Sequence, residues 1–373
     1  MPQVLESTSP LTPSSSWLSQ ALTPKRLQIA GLGLVASVLV ATGYIVLFAP
    51  HNPKDTAKAA VPRTPHPTAT PTPTPVYAPL TGLPTDAAAA AQPVVGVMIE
   101  NLYPDARPQS GLKDAGVVYE ALAEGGITRF LAIFQEPAPL NIGPVRSLRP
   151  YYLDWGLEYN IPVAHAGGSE PALAAVGPLG LKDINALVYD GSYFVRTRDR
   201  VAPHNLYTTQ SLLAQVVSKL GFANPPDFKP VPRTADHPAS PAPHPTINIA
   251  FSTNPYAVKY QYDAASNSYA RFMGGAAHMD RNTNTQIMVK NVVVEFVPTS
   301  YGTQSNGKPE TDYALIGKGN ALVFEDGNAT AATWSKADDH SPTTLIDAAG
   351  KPITFNRGNT WYSVVPTGNS VTY

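Results

Sequence analysis

The chain has 373 residues, 26 basic and 27 acidic, and a formal net charge of −1. Such a balance creates no global field for nucleic acid, and no nucleic-acid partner is expected. Cysteine is absent, which excludes disulfides, thiolate metal sites, a cysteine nucleophile and a lipid on cysteine.

Residues 1–26 read as a short cytoplasmic tail. Leu27–Ala49, "LQIAGLGLVASVLVATGYIVLFA", carries no charge over 23 residues. At about 1.5 Å per residue it spans a hydrocarbon core of about 30 Å. Lys25 and Arg26 place its amino-terminal side in the cytoplasm. A cleaved signal peptide is the rival, but "LFAPHNP" is a poor small-x-small site. The expectation is a single-pass cell-membrane anchor with everything after it extracytoplasmic. Residues 50–78 are a Pro/Thr-rich linker, whose alternating Thr-Pro favours extended polyproline II.

Residues 79–222 read as a mixed α/β domain. "VVGVMIEN" (94–101) and "EYNIPVAHAGG" (158–168) predict strands. "AGVVYEALAEGGITRFLAIFQ" (115–135) predicts a hairpin with Gly125-Gly126 as a two-residue turn. That register opposes Leu122 to Arg129 and puts Glu120, Glu124 and Arg129 on one polar face. "SEPALAAVG" and "TQSLLAQVVSKLG" predict helices capped by Ser169 and Thr209. Residues 223–245 are a second proline-rich linker. Residues 246–373 form short β-branched and aromatic runs with no long helix, and "FEDGNATAATW" predicts a hairpin turning at Asp326-Gly327.

Several motifs suggest chemistry. "VAHAGGSEPAL" (163–173) lacks the second glycine of a nucleophile elbow, so Ser169 reads as a cap. A glycine-flanked helix start can also hold an anion, with Gly168 at the mouth and His165 just before it. The first domain is dense in arginine: Arg107, Arg129, Arg146, Arg149, Arg196, Arg198 and Arg200, several beside turns. Arginine suits bidentate recognition of carboxylate or phosphate. Glu100, Glu120, Glu124 and His204 complete the polar set. "HMDRNTNTQ" has the start of a calcium loop but lacks its glycine and its last acid, and reads as a polar turn. No metal or cofactor is expected.

The charged motifs together resemble the YerB-like family, bacterial envelope proteins of unassigned function. They are "PLTGLP" (79–84), "IENLYPDARPQSGL" (99–112), "YEALAEGGITRFLAIF" (119–134), "IGPVRSLRPYYLDW" (142–155), "HAGGS" (165–169) and "APHNLYT" (202–208). "NVVVEFVP" (291–298) and "DGNATAATWSK" (326–336) extend the likeness across the second domain. The resemblance covers about 79–373 and implies an α+β protein: a mixed α/β layered first domain and a smaller, mostly-β second one. It implies an envelope location and no particular reaction. Family members are commonly anchored through a lipidated cysteine; here the helix 27–49 would take that task.

Three functions stay open. The first is a non-catalytic module binding an anionic envelope polymer or a phosphorylated small molecule through Glu100, Arg107, Glu120, Glu124, Arg129, Arg146, Arg149, His165, Gly168, Arg198 and His204. The second is an envelope hydrolase or transferase using Glu100, Glu120 or Glu124 with His165 or His204 as acid and base. The third is an assembly role through the β-rich domain.

Overall fold

The computed structural model describes residues 75–135 and 140–373. The expected tail, the spanning helix 27–49 and nearly all of the linker 50–78 lie outside them. Among the described residues no helix is long and apolar enough to cross a membrane. Val76 and Tyr77 pair with Thr85 and Pro84, so the last residues of the expected linker join the fold.

Three strands form the centre of the first half: β1 (Val95–Ile99), β2 (Val117–Leu122) and β3 (Thr128–Phe134). Every residue in them is buried. A sheet covered on both faces reads as a near-continuous apolar run, as these do, rather than as an alternation. Their few polar residues, Glu120, Thr128 and Arg129, therefore need partners inside the protein.

One cover is helix α1 (Pro150–Glu158), which the sequence reading did not anticipate. Pro150 stands in its first turn, where a missing N–H costs nothing. Tyr151, Tyr152, Leu153, Trp155, Gly156 and Leu157 are all buried, so no polar stripe announces the helix. The Trp155 ring stacks on Tyr119 of β2 at 4.6 Å. A Cβ at Gly156 would lie 2.7 Å from Val163, so the close approach requires glycine. Strand β4 (Pro162–His165), helix α2 (Glu170–Leu179) and strand β5 (Lys182–Asn185) form a parallel crossover beside β1. Helix α3 (Gln210–Lys219) follows; Thr209 caps it by accepting from Leu212 N at 3.1 Å.

The β2–β3 hairpin differs from its expected register. Glu120 opposes Phe130, Ala121 opposes Arg129 and Leu122 opposes Thr128. The connection holds three residues, Glu124–Gly126, closed by Ala123 N to Ile127 O at 2.7 Å. Both glycines have positive φ, as expected, but Glu124 belongs to the turn. A one-residue slip exchanges the faces. Arg129 thus shares a face with Tyr119 and Ala121, toward α1, while Glu120 faces the opposite way.

The second half does not stand apart. Its strands β11 (Asn291–Val297), β14 (Gly317–Glu325), β15 (Asn328–Lys336), β16 (Thr344–Asp347) and β17 (Thr360–Pro366) continue the same sheet. The order is β16-β15-β14-β11-β17-β2-β3-β1-β4-β5, ten strands in all. β17 lies parallel to both β11 and β2 and joins the halves. The β14–β15 hairpin turns at Asp326-Gly327 as expected, with φ of 57° and 74°.

A six-stranded sheet packs on the Glu120 face. It contains β6 (Thr246–Ala250), β7 (Ala257–Asp263), β8 (Ser268–Met273), β9 (Ala276–Ala277), β10 (Met288–Val289) and β18 (Val371–Thr372). One further hairpin, β12 (Thr299–Thr303) with β13 (Pro309–Tyr313), reaches back over the first half. The connecting segment 223–245 is pinned rather than free. Arg233 and Thr234 pair with Phe355 and Asn356, and Arg233 donates to Leu80 O, Asn356 O and Gly358 O.

Candidate functional site

The expected polar residues separate into two groups. The first lines a cleft of about 330 Å³ formed by Glu124, Arg146, Ser147, Arg149, Gly168 and Ser169, and by Gln304, Asn306, Lys308 and Pro309 of the β12–β13 hairpin. Turn and helix start supply the first set; the hairpin supplies the rim.

Glu124 is the hub. Arg129 donates to it at 2.8 Å and Arg149 pairs with its other oxygen. Burial alone would raise its pKa, but the two guanidinium groups outweigh burial and hold it at about 2. Burial also works against the Arg129 charge, and Glu124 more than offsets it, leaving that pKa raised. Arg149 donates from its other terminal nitrogen to Glu310 at 3.0 Å. The carboxylate at 124 is thus an anchor for arginines, and its low pKa unfits it for general acid work near neutrality.

Arg146 is different. Its Nε lies 3.1 Å from Glu100 but is too poorly aligned to hydrogen-bond. Among the described residues its terminal nitrogens have no hydrogen-bond partner, and the residue lines the cleft. Lys308, exposed on the rim, likewise has no acidic partner within salt-bridge reach among the described residues. Glu100 also meets His204 Nδ1 at 2.9 Å, so Arg146 and His204 share one acid.

Ser169 is buried at the N-cap position, yet its hydroxyl does not cap. It donates to Glu310 at 2.9 Å. The first-turn N–H of Glu170 is satisfied instead by Gln304 Oε1 at 3.1 Å. Capping is supplied from another part of the chain. At Gly168 a Cβ would press on Leu173 and on the Leu148 carbonyl at 3.0–3.3 Å, so the cleft wall is tight there.

The second group is a closed network between the two sheets, and it contains Glu120 and Arg107 rather than the cleft. Glu120 pairs with Arg271 of β8, accepts from Thr128 at 3.0 Å and from Trp361 Nε1 at 3.1 Å. Arg271 also bonds His278 Nδ1, which must accept; the ring then donates through Nε2 to Gln109 at 2.9 Å. Burial first, then Arg271 and Arg107, push the His278 pKa well down, in keeping with a neutral ring. The Gln109 amide donates onward to Glu100 O and Asn101 Oδ1. Arg107 donates to Asn101 Oδ1 and to Pro255 O; burial, despite Tyr256 and with repulsion from Arg271, lowers it to about 10.

The remaining expected residues sit apart. His165 has no exposed side-chain surface; Nδ1 meets Gly167 O at 2.7 Å and Nε2 meets Asp183. Arg198 lies exposed with His204 in a separate hollow of about 310 Å³. In "HMDRNTNTQ", Asp280 accepts from Asn282 N at 2.9 Å and Lys113 N at 3.2 Å, a polar turn. Among the described residues no three His, Asp or Glu side chains gather as a metal site. Glu310, Lys308 and Gln304 were missed. "QSNGKPE" (304–310) contains an Asn-Gly turn signal that marks the hairpin, though not where it docks.

Fold and site together define a strand-rich protein of two modules joined through one sheet, with a polar cleft where the modules meet. Residues 80–223 match the N-terminal domain, and 247–362 the C-terminal domain, of the family described as protein of unknown function DUF3048. The chain belongs to this family. It is 34% identical over 295 residues to a Bacillus subtilis protein named "Putative lipoprotein YerB", covering 78% of this chain and 86% of that one. The crystal structure of the YerB protein from Bacillus subtilis superposes with a TM-score of 0.71 at 30% identity, over 80% of this chain and all of the other.

Proposed function

We propose that this chain is a membrane-anchored, extracytoplasmic binding protein that holds an anionic envelope ligand in the Glu124–Arg149 cleft without catalysing a reaction. The observation that carries the reading is Arg146: a partly buried arginine that lines the cleft and, among the described residues, makes no hydrogen bond from its terminal nitrogens. Lys308 adds a charge at the rim with no acidic partner within salt-bridge reach among the described residues. Two further facts argue against acid–base or nucleophilic chemistry. Glu124 is held ionised at about 2, and the Ser169 hydroxyl is committed to Glu310. Envelope placement rests on the uncharged run Leu27–Ala49 and on the relative's name as a lipoprotein. The sequence holds no cysteine to carry a lipid, so the uncharged run Leu27–Ala49 would serve as the anchor.

The test is calorimetric titration of the full chain in detergent micelles with tripolyphosphate, glucose 6-phosphate and tri-galacturonate. At least one should bind, and Arg146→Gln should weaken that binding about tenfold or more, the scale of a lost charge-assisted contact. No binding by any of the three, or equal binding by the variant, would reject the cleft. Hydrolysis of any probe would replace the binding reading with an enzymatic one.

A further inference from the structure

Glu310 belongs to the second half but sits where the first half presents donors. Its Oε2 accepts from Arg149 Nη1 at 3.0 Å, and its Oε1 accepts from Ser169 Oγ at 2.9 Å. Each oxygen of one planar carboxylate has its own donor. Both donors are buried, Arg149 at 7% and Ser169 at 3% exposure. Ser169 also opens helix α2, whose amino-terminal end favours negative charge. A guanidinium, a hydroxyl and a helix start, spaced for two coplanar oxygens, make a seat for a carboxylate.

The hairpin that delivers Glu310 is held unevenly. Its base is fixed by Thr311 Oγ1, which donates to Ala123 O at 2.6 Å, and by the Tyr313 hydroxyl, which accepts from Leu122 N at 3.0 Å. Its tip hydrogen-bonds α2 at two points: Gln304 with Glu170 N, and Ser305 with the Glu170 carboxylate. The tip residues Ser305–Pro309 are exposed. Such solvent-exposed polar contacts add little stability, so the tip can lift while the base stays anchored.

We infer that the Arg149–Ser169 seat is a carboxylate-binding subsite that Glu310 fills in cis, and that a ligand carboxylate enters by displacing it. This rests on the cleft reading above and adds two statements to it: the chemical class of the ligand group, and a built-in competitor. A seat occupied by Glu310 roughly 90% of the time weakens apparent affinity about tenfold. The carboxylate can come from a uronic acid or from a peptide terminus.

The experiment titrates the full chain and Glu310→Gln with tri-galacturonate, with a tripeptide bearing a free terminal carboxylate, with its amidated form, and with tripolyphosphate. The expected result is that one carboxylate probe binds Glu310→Gln about tenfold tighter than the unmodified chain. Adding Arg149→Lys should remove the gain, because lysine keeps the charge but loses the fork. An equal gain for tripolyphosphate overturns the carboxylate assignment. Equal affinity with and without Glu310 overturns the competitor while leaving the cleft intact, provided Arg146→Gln still weakens binding. No binding by either chain overturns both readings. Should Glu310→Gln fail to fold, amide exchange in the unmodified chain decides. The bound probe should speed exchange across residues 304–310, and unchanged exchange there overturns the displacement.

Discussion

Two polar regions lie on opposite faces of one hairpin and are built from the same residue types. Around Glu120 a carboxylate, a guanidinium and an imidazole form a loop in which each polar atom answers another. Around Glu124 a carboxylate gathers two arginines, yet a third, Arg146, keeps donors free at the cleft. Residue type does not separate the two. Unspent hydrogen-bonding capacity does, because a closed network has nothing left to offer a ligand, whereas an open one does.

The largest effect should come from breaking the closed region. Glu120→Ala leaves Arg271 charged, wholly buried and unpaired, which costs about 3–5 kcal/mol. Urea unfolding should show the midpoint collapse, and a loss under about 1 kcal/mol would mean that water or a shifted side chain already serves Arg271. In the open region Glu124→Gln should cost less, about 1–3 kcal/mol, since Glu124 is partly solvated. Here the pH dependence has a definite sign. The folded pKa of about 2 lies below the ordinary 4.5, so the Glu124 contribution is full above about 4.5 and fades as pH falls toward 2. The stability gap between the two chains should therefore narrow from about pH 6 to about pH 3. A gap that widened on acidification would reverse the assignment.

Glu295 supplies the contrasting case, a buried acid with no guanidinium of its own. Among the described residues one carboxyl oxygen has no hydrogen-bond partner, and the nearby Lys336 donates to Glu158 at 3.1 Å. Burial, with Glu158 adding repulsion, lifts its pKa from 4.5 to about 8. The folded state holds that proton longer, so this group lowers stability as pH rises from about 4.5 to 8. Glu295→Gln should stabilise by about 1 kcal/mol at pH 8 and by less near pH 5, measured as thermal midpoints. At Arg146, Gln should cost stability through the buried Glu100 it partners, about 1–2 kcal/mol, while binding weakens about tenfold.

Particular residues show how far sequence carries. Asp326-Gly327 allows both turn positions to take positive φ, and its hairpin formed in the expected register. Gly125-Gly126 permits more than one turn, and recruiting Glu124 moved every pairing by one residue. That slip sent Arg129 to one face and Glu120 to the other. Arg146, Arg149 and Gly168 line one cleft, and buried Arg129 reaches it through Glu124. Glu310 did not appear because its partner Ser169 lies 141 residues away, and no local pattern encodes such a meeting. Helix α1 was hidden because it is buried nearly all round, which removes the periodicity that betrays a surface helix.

Strand β17 sits at positions 360–366 in the chain yet in the middle of the sheet, with β2 on one side and β11 on the other. Until it arrives, both neighbours present an open, apolar edge. A growing chain must therefore keep two unfinished half-sheets apart until residues 360–366 emerge. The two modules are bound to a single act of completion, and neither can be traded, trimmed or recombined without exposing the seam of the other.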